Sequence, residues 1–202
     1  MANTSRLLGF VPVKHLTGAP YNGQANIYEI AAADTSPVMR GDLVMLSDLD
    51  ATDVYPAVER IAASGQVTSV AIVGSVVGFV VVTGTSGRTP NLDVPIYRAA
   101  STKQFVLVAD SPDLLFEVQD GGTVPCTLAL IGSNTGITAT AGSTTSGLSN
   151  MATGTTAPTT TSTLPLQILG VYPRVDNESA AASQKLLVRI NTHAFHGSIA
   201  GV

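Results

Sequence analysis

Short runs of apolar residues recur along the chain between clusters of glycine, proline, asparagine, aspartate and serine. Apolar runs of roughly 4–8 residues with such boundaries are typical of short β-strands joined by turns. No stretch keeps the helical period of about 3.6 residues for long. The pattern predicts an all-β fold, a β-barrel or a jelly-roll-like sandwich, with these strands: Leu8–Val13, Ala25–Ala31, Leu43–Leu46, Ala57–Ile61, Ser69–Val73, Val76–Val82, Val94–Arg98, Phe105–Val108, Leu114–Gln119, Thr127–Ile131, Leu164–Leu169 and Lys185–Asn191.

The faces of two predicted strands can be assigned, because successive side chains of a strand point to opposite sides. The residues expected on the core faces are Leu114, Phe116, Val118, Leu186, Val188 and Ile190. The residues of the last strand expected to face water are Lys185, Arg189 and Asn191. The run Val76–Val82 does not alternate, which predicts a central strand buried on both faces. Residues 54–63 are also compatible with two helical turns, but Pro56 and the β-branched neighbours favour a strand.

The length of 202 residues fits a single β-domain spanning residues 1–202. Two parts of this domain are expected to differ from the rest. Residues 1–13 are a possible N-terminal arm, and residues 132–163 are an extended Thr/Ser/Gly-rich segment, called the uncharged segment below.

The uncharged segment lies in a longer stretch without charge. No Asp, Glu, Lys or Arg occurs between Asp120 and Arg174, about a quarter of the chain. Small polar residues are typical of linkers, but disordered segments usually carry high net charge and threonine favours strands. An uncharged surface rich in hydrogen-bonding groups suits a permanent interface. We therefore expect the segment to be ordered because another chain packs against it.

Six residues are the candidates for contact with a partner. The N-terminal ones belong to a terminal segment that is free to add as a strand to a neighbour's sheet edge. The others are apolar anchors spaced along the uncharged segment. The six are Arg6, Leu7, Phe10, Ile137, Leu148 and Met151.

Charge and composition narrow the possible partners. Charged residues make up 12% of the chain, the formal net charge is −4, and tryptophan is absent. Such a chain offers little attraction for phosphate and few stacking platforms for bases, so no nucleic-acid partner is expected. The longest apolar run, Val70–Val82, is interrupted by glycine and serine and is shorter than the roughly 20 residues of a bilayer span. We expect neither a membrane partner nor a targeting segment.

The candidate catalytic residues form weak constellations. Cys126 with His15, His193 or His196 is a conceivable thiol and imidazole pair. A buried structural cysteine at the start of a strand is the simpler interpretation. The lysines do not follow glycine in the pattern of a phosphate-binding loop. The chain is therefore not expected to be an enzyme or to carry a cofactor.

The candidate metal ligands are equally sparse. His193 and His196 stand three residues apart and would need a further ligand to hold a metal. Asp48, Asp50 and Asp53 resemble the beginning of a calcium loop, but glycine at its sixth position and glutamate at its twelfth are missing. A solvated acidic turn is favoured there. The sequence Asp110-Ser111-Pro112-Asp113 is typical of a turn between two strands.

Five stretches resemble, in the same order, a family of small structural proteins of tailed bacteriophages: Val76–Phe79, Asp110–Gln119, Ser146–Ser149, Leu166–Glu178 and Lys185–His193. The resemblance extends from about Tyr55 to His193, and none of its elements carries catalytic residues. It implies a head protein that accompanies a larger major capsid protein, as a decoration or cement protein on the outer surface of the virion capsid. The implied partners are the major capsid protein and further copies of the chain in a homo-dimer or homo-trimer.

Two functions of other classes remain open. One is a receptor-binding or glycan-binding β-domain of a virion fibre or surface layer, for which the five tyrosines supply few exposed aromatic groups. The other is a thiol hydrolase, which requires a reactive Cys126.

Overall fold

The computed structural model describes residues 3–48, 55–61, 66–81, 94–122 and 125–196. The chain is nearly all β, with 39% strands and 2% helix in three antiparallel sheets, which confirms the all-β fold class. The strands of the described residues are β1 (Val11–His15), β2 (Asn26–Ile30), β3 (Leu43–Leu46), β4 (Val58–Arg60), β5 (Gln66–Val67), β6 (Ile72–Val80), β7 (Gln104–Ala109), β8 (Leu114–Gln119), β9 (Asn134–Thr135), β10 (Ile137–Thr138), β11 (Ala152–Thr153), β12 (Leu166–Val171) and β13 (Lys185–Ile190).

The strands are distributed over two large sheets and a small one. The first sheet has the order β1-β8-β13-β12-β9, and the small sheet has the order β11-β10-β5. The remaining sheet has the order β2-β7-β6-β3-β4. A parallel bridge between Glu29 and Ala57 joins β2 to the residues that lead into β4, and the Glu29 amide donates to the Pro56 carbonyl at 3.0 Å. These contacts close the five strands into a small barrel.

Two apolar cores follow from this arrangement. All five strands of the barrel contribute to its interior, with alternate residues of β2 and β7 pointing inward. These residues include Tyr28, Ile30, Val44, Val58, Val73, Val76, Val106 and Val108. The second core lies where the first sheet meets the outside of the barrel and the small sheet, and it includes Leu43, Ile72, Ala109, Phe116, Ile137, Leu166 and Val188.

The strand predictions are confirmed where the apolar run is long or alternates. Leu43–Leu46 and Leu114–Gln119 are strands with these bounds. The predicted strands at 69–73 and 76–82 are one strand, β6, which lies in the centre of the barrel sheet. Gly74 permits this continuity, because a Cβ there would lie 2.1 Å from the carbonyl oxygen of Ala109. β6 ends at Val80, so Val81 is not part of the strand, and Val82 lies outside the described residues.

Three predicted strands are corrected. The N-terminal strand is Val11–His15 rather than Leu8–Val13. Leu128–Leu130 is a 3-10 turn with no buried residue, because this short apolar run lacks a buried face. In Val94–Arg98 only Arg98 makes a strand contact, a bridge to Val38. The guanidinium of Arg98 is buried and donates to the carbonyls of residues 31, 34 and 36, so it ties a loop to the barrel.

The predicted faces hold for the apolar positions of β8 and β13. Their six core residues are buried to 4% exposure or less and belong to one core. The prediction that Asn191 faces water is wrong, since its side chain is 2% exposed. Its amide donates to the carbonyls of Ser162 and Leu164, at 3.0 and 2.9 Å. Asn191 therefore anchors the end of the uncharged segment, which no local sequence pattern signals.

Candidate association surface

The N-terminal residues run along the body of the protein. β1 pairs antiparallel with β8, and upstream of it the Arg6 amide donates to the Gln119 side chain at 2.7 Å. The Lys185 ammonium group donates to the Arg6 carbonyl, also at 2.7 Å. Asn3 exchanges two hydrogen bonds with the backbone of Glu178. Residues 3–13 thus contact their own chain, and an additional role of residues 1–13 as an arm toward a neighbour stays a prediction.

A contact between two glycines brings the start of β1 onto the barrel. Gly9 has a φ of +69°, and a Cβ on it would lie 2.3 Å from the carbonyl oxygen of Gly41. Glycine therefore satisfies both the left-handed backbone and the close approach. The next amide, that of Phe10, donates to the Gly41 carbonyl at 2.9 Å. As a result the Phe10 ring is fully buried, edge-to-face with Phe116.

The uncharged segment is also folded against its own chain. Ile137 pairs with Val67 on one side and Thr153 on the other, and the side chains of Ile137 and Met151 are 0% exposed. Two glycines of this region, at positions 136 and 154, lie so close to Gln66 that a Cβ would clash with it. Intrachain packing therefore contributes to the order of the segment, and the expectation that another chain also packs against it stays a prediction.

Charges outside the uncharged segment hold it in place. The Asp42 carboxylate accepts from Arg60 Nε at 3.0 Å and from Ser149 Oγ at 2.5 Å. Another nitrogen of Arg60, Nη2, donates to the Thr140 carbonyl at 2.6 Å. Asp42 is fully buried and Arg60 is 7% exposed. Burial raises the pKa of Asp42, while Arg60 and the hydrogen-bond donors lower it. This group, called the Asp42 clamp below, connects residues 140–149 to the barrel.

A groove of about 480 Å³ opens where these parts meet. Its lining comes from four separate regions: the N-terminal strand, the loop after it, the barrel and the uncharged segment. The described lining residues are Leu8, Phe10, Val11, Pro12, Tyr21, Gly23, Arg40, Gly41, Val76, Val77, Leu107 and Leu148. We call this the association groove, because an apolar concavity with few polar groups is the usual form of a binding site.

The rim of the association groove has a fixed backbone. The Arg40 amide donates to the Gly147 carbonyl at 3.0 Å, and the Arg40 carbonyl accepts from the Ser149 amide at 2.9 Å. These bonds pair Arg40 with Leu148, whose side chain is half-buried. Val11, which also lines the groove, is 37% exposed. The groove is thus a preformed surface, with apolar side chains open to solvent.

The structure separates the six predicted partner contacts into two groups. Phe10, Ile137 and Met151 are fully buried in the core, where they stabilise this chain and are not open to a partner. The accessible three are Arg6, which is exposed, and Leu7 and Leu148, which are half-buried. Of these only Leu148 lines the association groove. Val11 and Arg40 were missed, because the residues that meet here are far apart in sequence.

Cys126 lies in an environment that suppresses thiol reactivity. Its side chain is 2% exposed, and burial, together with the negative charge of Asp120, raises its pKa to about 11. We expect iodoacetamide to leave Cys126 unmodified in the folded protein at about pH 8 and to modify it rapidly in urea. Mass spectrometry of the intact chain measures this. Rapid modification of the folded protein would restore the thiol-enzyme alternative.

The described residues bring no further metal ligand to the histidine pair. No group of three or more His, Cys, Asp or Glu residues suitable for a metal occurs among the described residues. His193 is 4% exposed, and its Nδ1 accepts from the Phe195 amide at 3.1 Å. In the predicted acidic turn, Asp48 is exposed, whereas Asp50 and Asp53 lie outside the described residues.

The burial of His193 predicts a pH effect on stability. Burial lowers its pKa below the ordinary value of 6.5, with Asp110 opposing and His196 adding to the shift. The neutral ring is favoured in the folded state, so its contribution is present above about pH 6.5 and is lost as the pH falls. In urea unfolding, the free energy of unfolding is expected to fall by up to about 1.4 kcal/mol for each unit by which the pH is lowered below 6.5. His193→Asn should reduce this decline, whereas His15→Asn should leave it unchanged. Equal dependence of the free energy of unfolding on pH in the two variants would show that His193 is not its source.

The Asp110 turn has the predicted form and adds a polar cleft. β7 ends at Ala109 and β8 begins at Leu114, whose amide donates to the Ser111 carbonyl at 3.1 Å. The Asp110 carboxylate accepts from the Tyr28 hydroxyl at 2.6 Å and from the Asn26 amide at 3.0 Å. The cleft beside it, of about 290 Å³, is lined by His15, Tyr21, Gln24, Asn26, Asp110, Ser111, Pro112 and Leu114.

Comparison with protein-family models, curated proteins and solved structures finds no match to this chain. In the part of the chain that the structure describes, no helix is long and apolar enough to cross a membrane. The function must therefore be inferred from the residues and the geometry of the association groove.

Proposed function

We propose that the chain is a capsid decoration protein of a tailed bacteriophage. In this role it binds the major capsid protein lattice on the outer surface of the head and stabilises the shell, without catalysis or cofactor. The observation that supports the proposal is the association groove, a largely apolar concave surface on an all-β fold. The assignment to a tailed bacteriophage rests on the resemblance of the five sequence stretches from Val76–Phe79 to Lys185–His193, which occur in the same order as in the phage family.

The physical properties of the surface suit this role. A shell presents many equivalent binding sites, so a decoration protein that associates with itself multiplies modest contacts through avidity. A homo-dimer or homo-trimer would fit two-fold or three-fold positions of a capsid. An interface made by an apolar groove also depends little on salt, because screened ion pairs contribute little of its free energy.

Binding to isolated heads tests the proposal. Phage heads that lack the protein are incubated with the purified chain, and bound protein is measured after sedimentation. We expect saturable occupancy and a higher temperature of head disruption. Val11→Asp, which places a charge in the groove, should bind about tenfold more weakly. Val175→Asp is the matched control, since Val175 is fully exposed outside the groove. Heads that bind no wild-type protein would contradict the proposed function.

A second candidate function is glycan binding, and the polar cleft beside Asp110 is the observation that favours it. Carboxylate, amide and hydroxyl groups line this cleft next to Tyr21, and such groups suit a ligand rich in hydroxyls. Binding of the isolated protein to a glycan array, lost in Asp110→Ala, would support this function. An array without signal would remove it.

A further inference from the structure

We infer that the association groove takes an apolar peptide segment of the shell protein, and that this segment carries a carboxylate that pairs with Arg40. The inference rests on the proposed function for the identity of the partner. The apolar character of the segment follows from the groove itself: Arg40 is the one charged residue among its described lining.

The carboxylate follows from the state of Arg40. Its side chain is exposed at the rim and forms no ion pair with any residue that the structure describes. Its backbone is fixed on both sides by the bonds to Gly147 and Ser149. A guanidinium held at the edge of an apolar groove matches a carboxylate, to which it can donate two parallel hydrogen bonds. An apolar segment with one acidic residue is therefore the complementary occupant.

The groove borders an edge strand but does not offer that edge for strand addition. β1 is at the edge of the first sheet, and its second half is already covered, since the Tyr21 amide donates to the Val13 carbonyl at 3.0 Å. Its first half, at Val11 and Pro12, borders the groove, but Pro12 has no N–H to donate to an added strand. The segment is therefore held by side-chain contacts in the groove and by Arg40.

Two dyes test the chemistry of the groove without phage heads. Anilinonaphthalene sulfonate is an apolar anion, and N-phenyl-1-naphthylamine has the same aromatic groups without the sulfonate. We expect fluorescence titration of the full chain to show about two- to fivefold tighter binding of the anion. Arg40→Gln should remove this difference and Arg40→Lys should keep most of it. Lys14→Gln, an exposed charge on β1 outside the groove lining, is the control.

Either of two results in this titration would overturn the inference. One is equal binding of both dyes by the wild type. The other is a preference for the anion that survives Arg40→Gln, which would place the bound anion elsewhere on the surface.

Crosslinking on phage heads then identifies the occupant. Leu148→Cys is labelled with benzophenone maleimide, and the buried Cys126 stays unlabelled. After binding to heads and irradiation, mass spectrometry of the crosslinked peptide should show an apolar shell segment with Asp or Glu. A crosslink to a second copy of this chain, to a basic segment, or to no peptide while the protein is bound would overturn the inference. Heads that fail to bind the wild type would instead contradict the proposed function.

Discussion

Replacement of Asp42 by alanine is expected to lower the free energy of unfolding by about 3–5 kcal/mol, the usual cost of removing one partner of a buried ion pair. Arg60 is 7% exposed and would keep its charge in the interior without a carboxylate. The Ser149 hydroxyl and the Met39 amide would lose the same acceptor. Urea unfolding followed by circular dichroism measures the change.

A matched ion pair on the surface provides the control for Asp42. Asp176 accepts from Arg174 at 3.1 Å, but its side chain is 74% exposed. Asp176→Ala should therefore cost no more than about 1 kcal/mol. Equal losses in the two variants would show that the Asp42 clamp does not hold the uncharged segment on the barrel.

Truncation of Ile137 to alanine is expected to destabilise the isolated protein by about 2–5 kcal/mol. Ile137 is completely buried in the core between the first sheet, the barrel and the small sheet. Its truncation leaves a cavity at the point where β10 pairs with β5 and β11. The measurement is again urea unfolding of the chain without any partner.

Ile96→Ala is the matched control for this truncation. Ile96 is 54% exposed, so its removal should change the free energy of unfolding by less than about 0.5 kcal/mol. If Ile137→Ala had an equally small effect, the uncharged segment would not depend on its own core. Order in this segment would then have to come from another chain that covers it.

The parts of the fold that follow from local alternation are the ones the sequence predicts well. In β8 and β13 every second residue is apolar, and all of these residues reach the core. The central position of β6 follows from the lack of alternation in Val76–Val82, although Val77, Gly78 and Val80 are only half-buried. Such patterns report which side chains avoid water and require no knowledge of distant residues.

Contacts between distant residues are what local patterns miss. β9, β10 and β11 are two residues long and arise from pairing with strands far away in the sequence. The uncharged segment is ordered by Asp42 and Arg60, which lie in other elements and have no distinguishing neighbours in the sequence. The low charge of a segment therefore indicates that it is packed, but does not say against which chain.

The association groove escapes sequence analysis for the same reason. Arg40 and Leu148 are brought together by a bridge across a long sequence separation, and Val11 joins them through the contact between Gly9 and Gly41. Of the groove lining, only Phe10 and Leu148 are among the candidates chosen from the sequence, and of these two only Leu148 is accessible to a partner. The N-terminal residues Leu8, Phe10, Val11 and Pro12 form part of the groove lining.

Hydrogen exchange of the protein free and bound to phage heads tests the central claim most directly. The account predicts that binding slows exchange in the peptides that contain residues 8–12, 40–41 and 147–148, with little change around Val175. Protection confined to other surfaces, with the groove peptides exchanging as in the free protein, would contradict it.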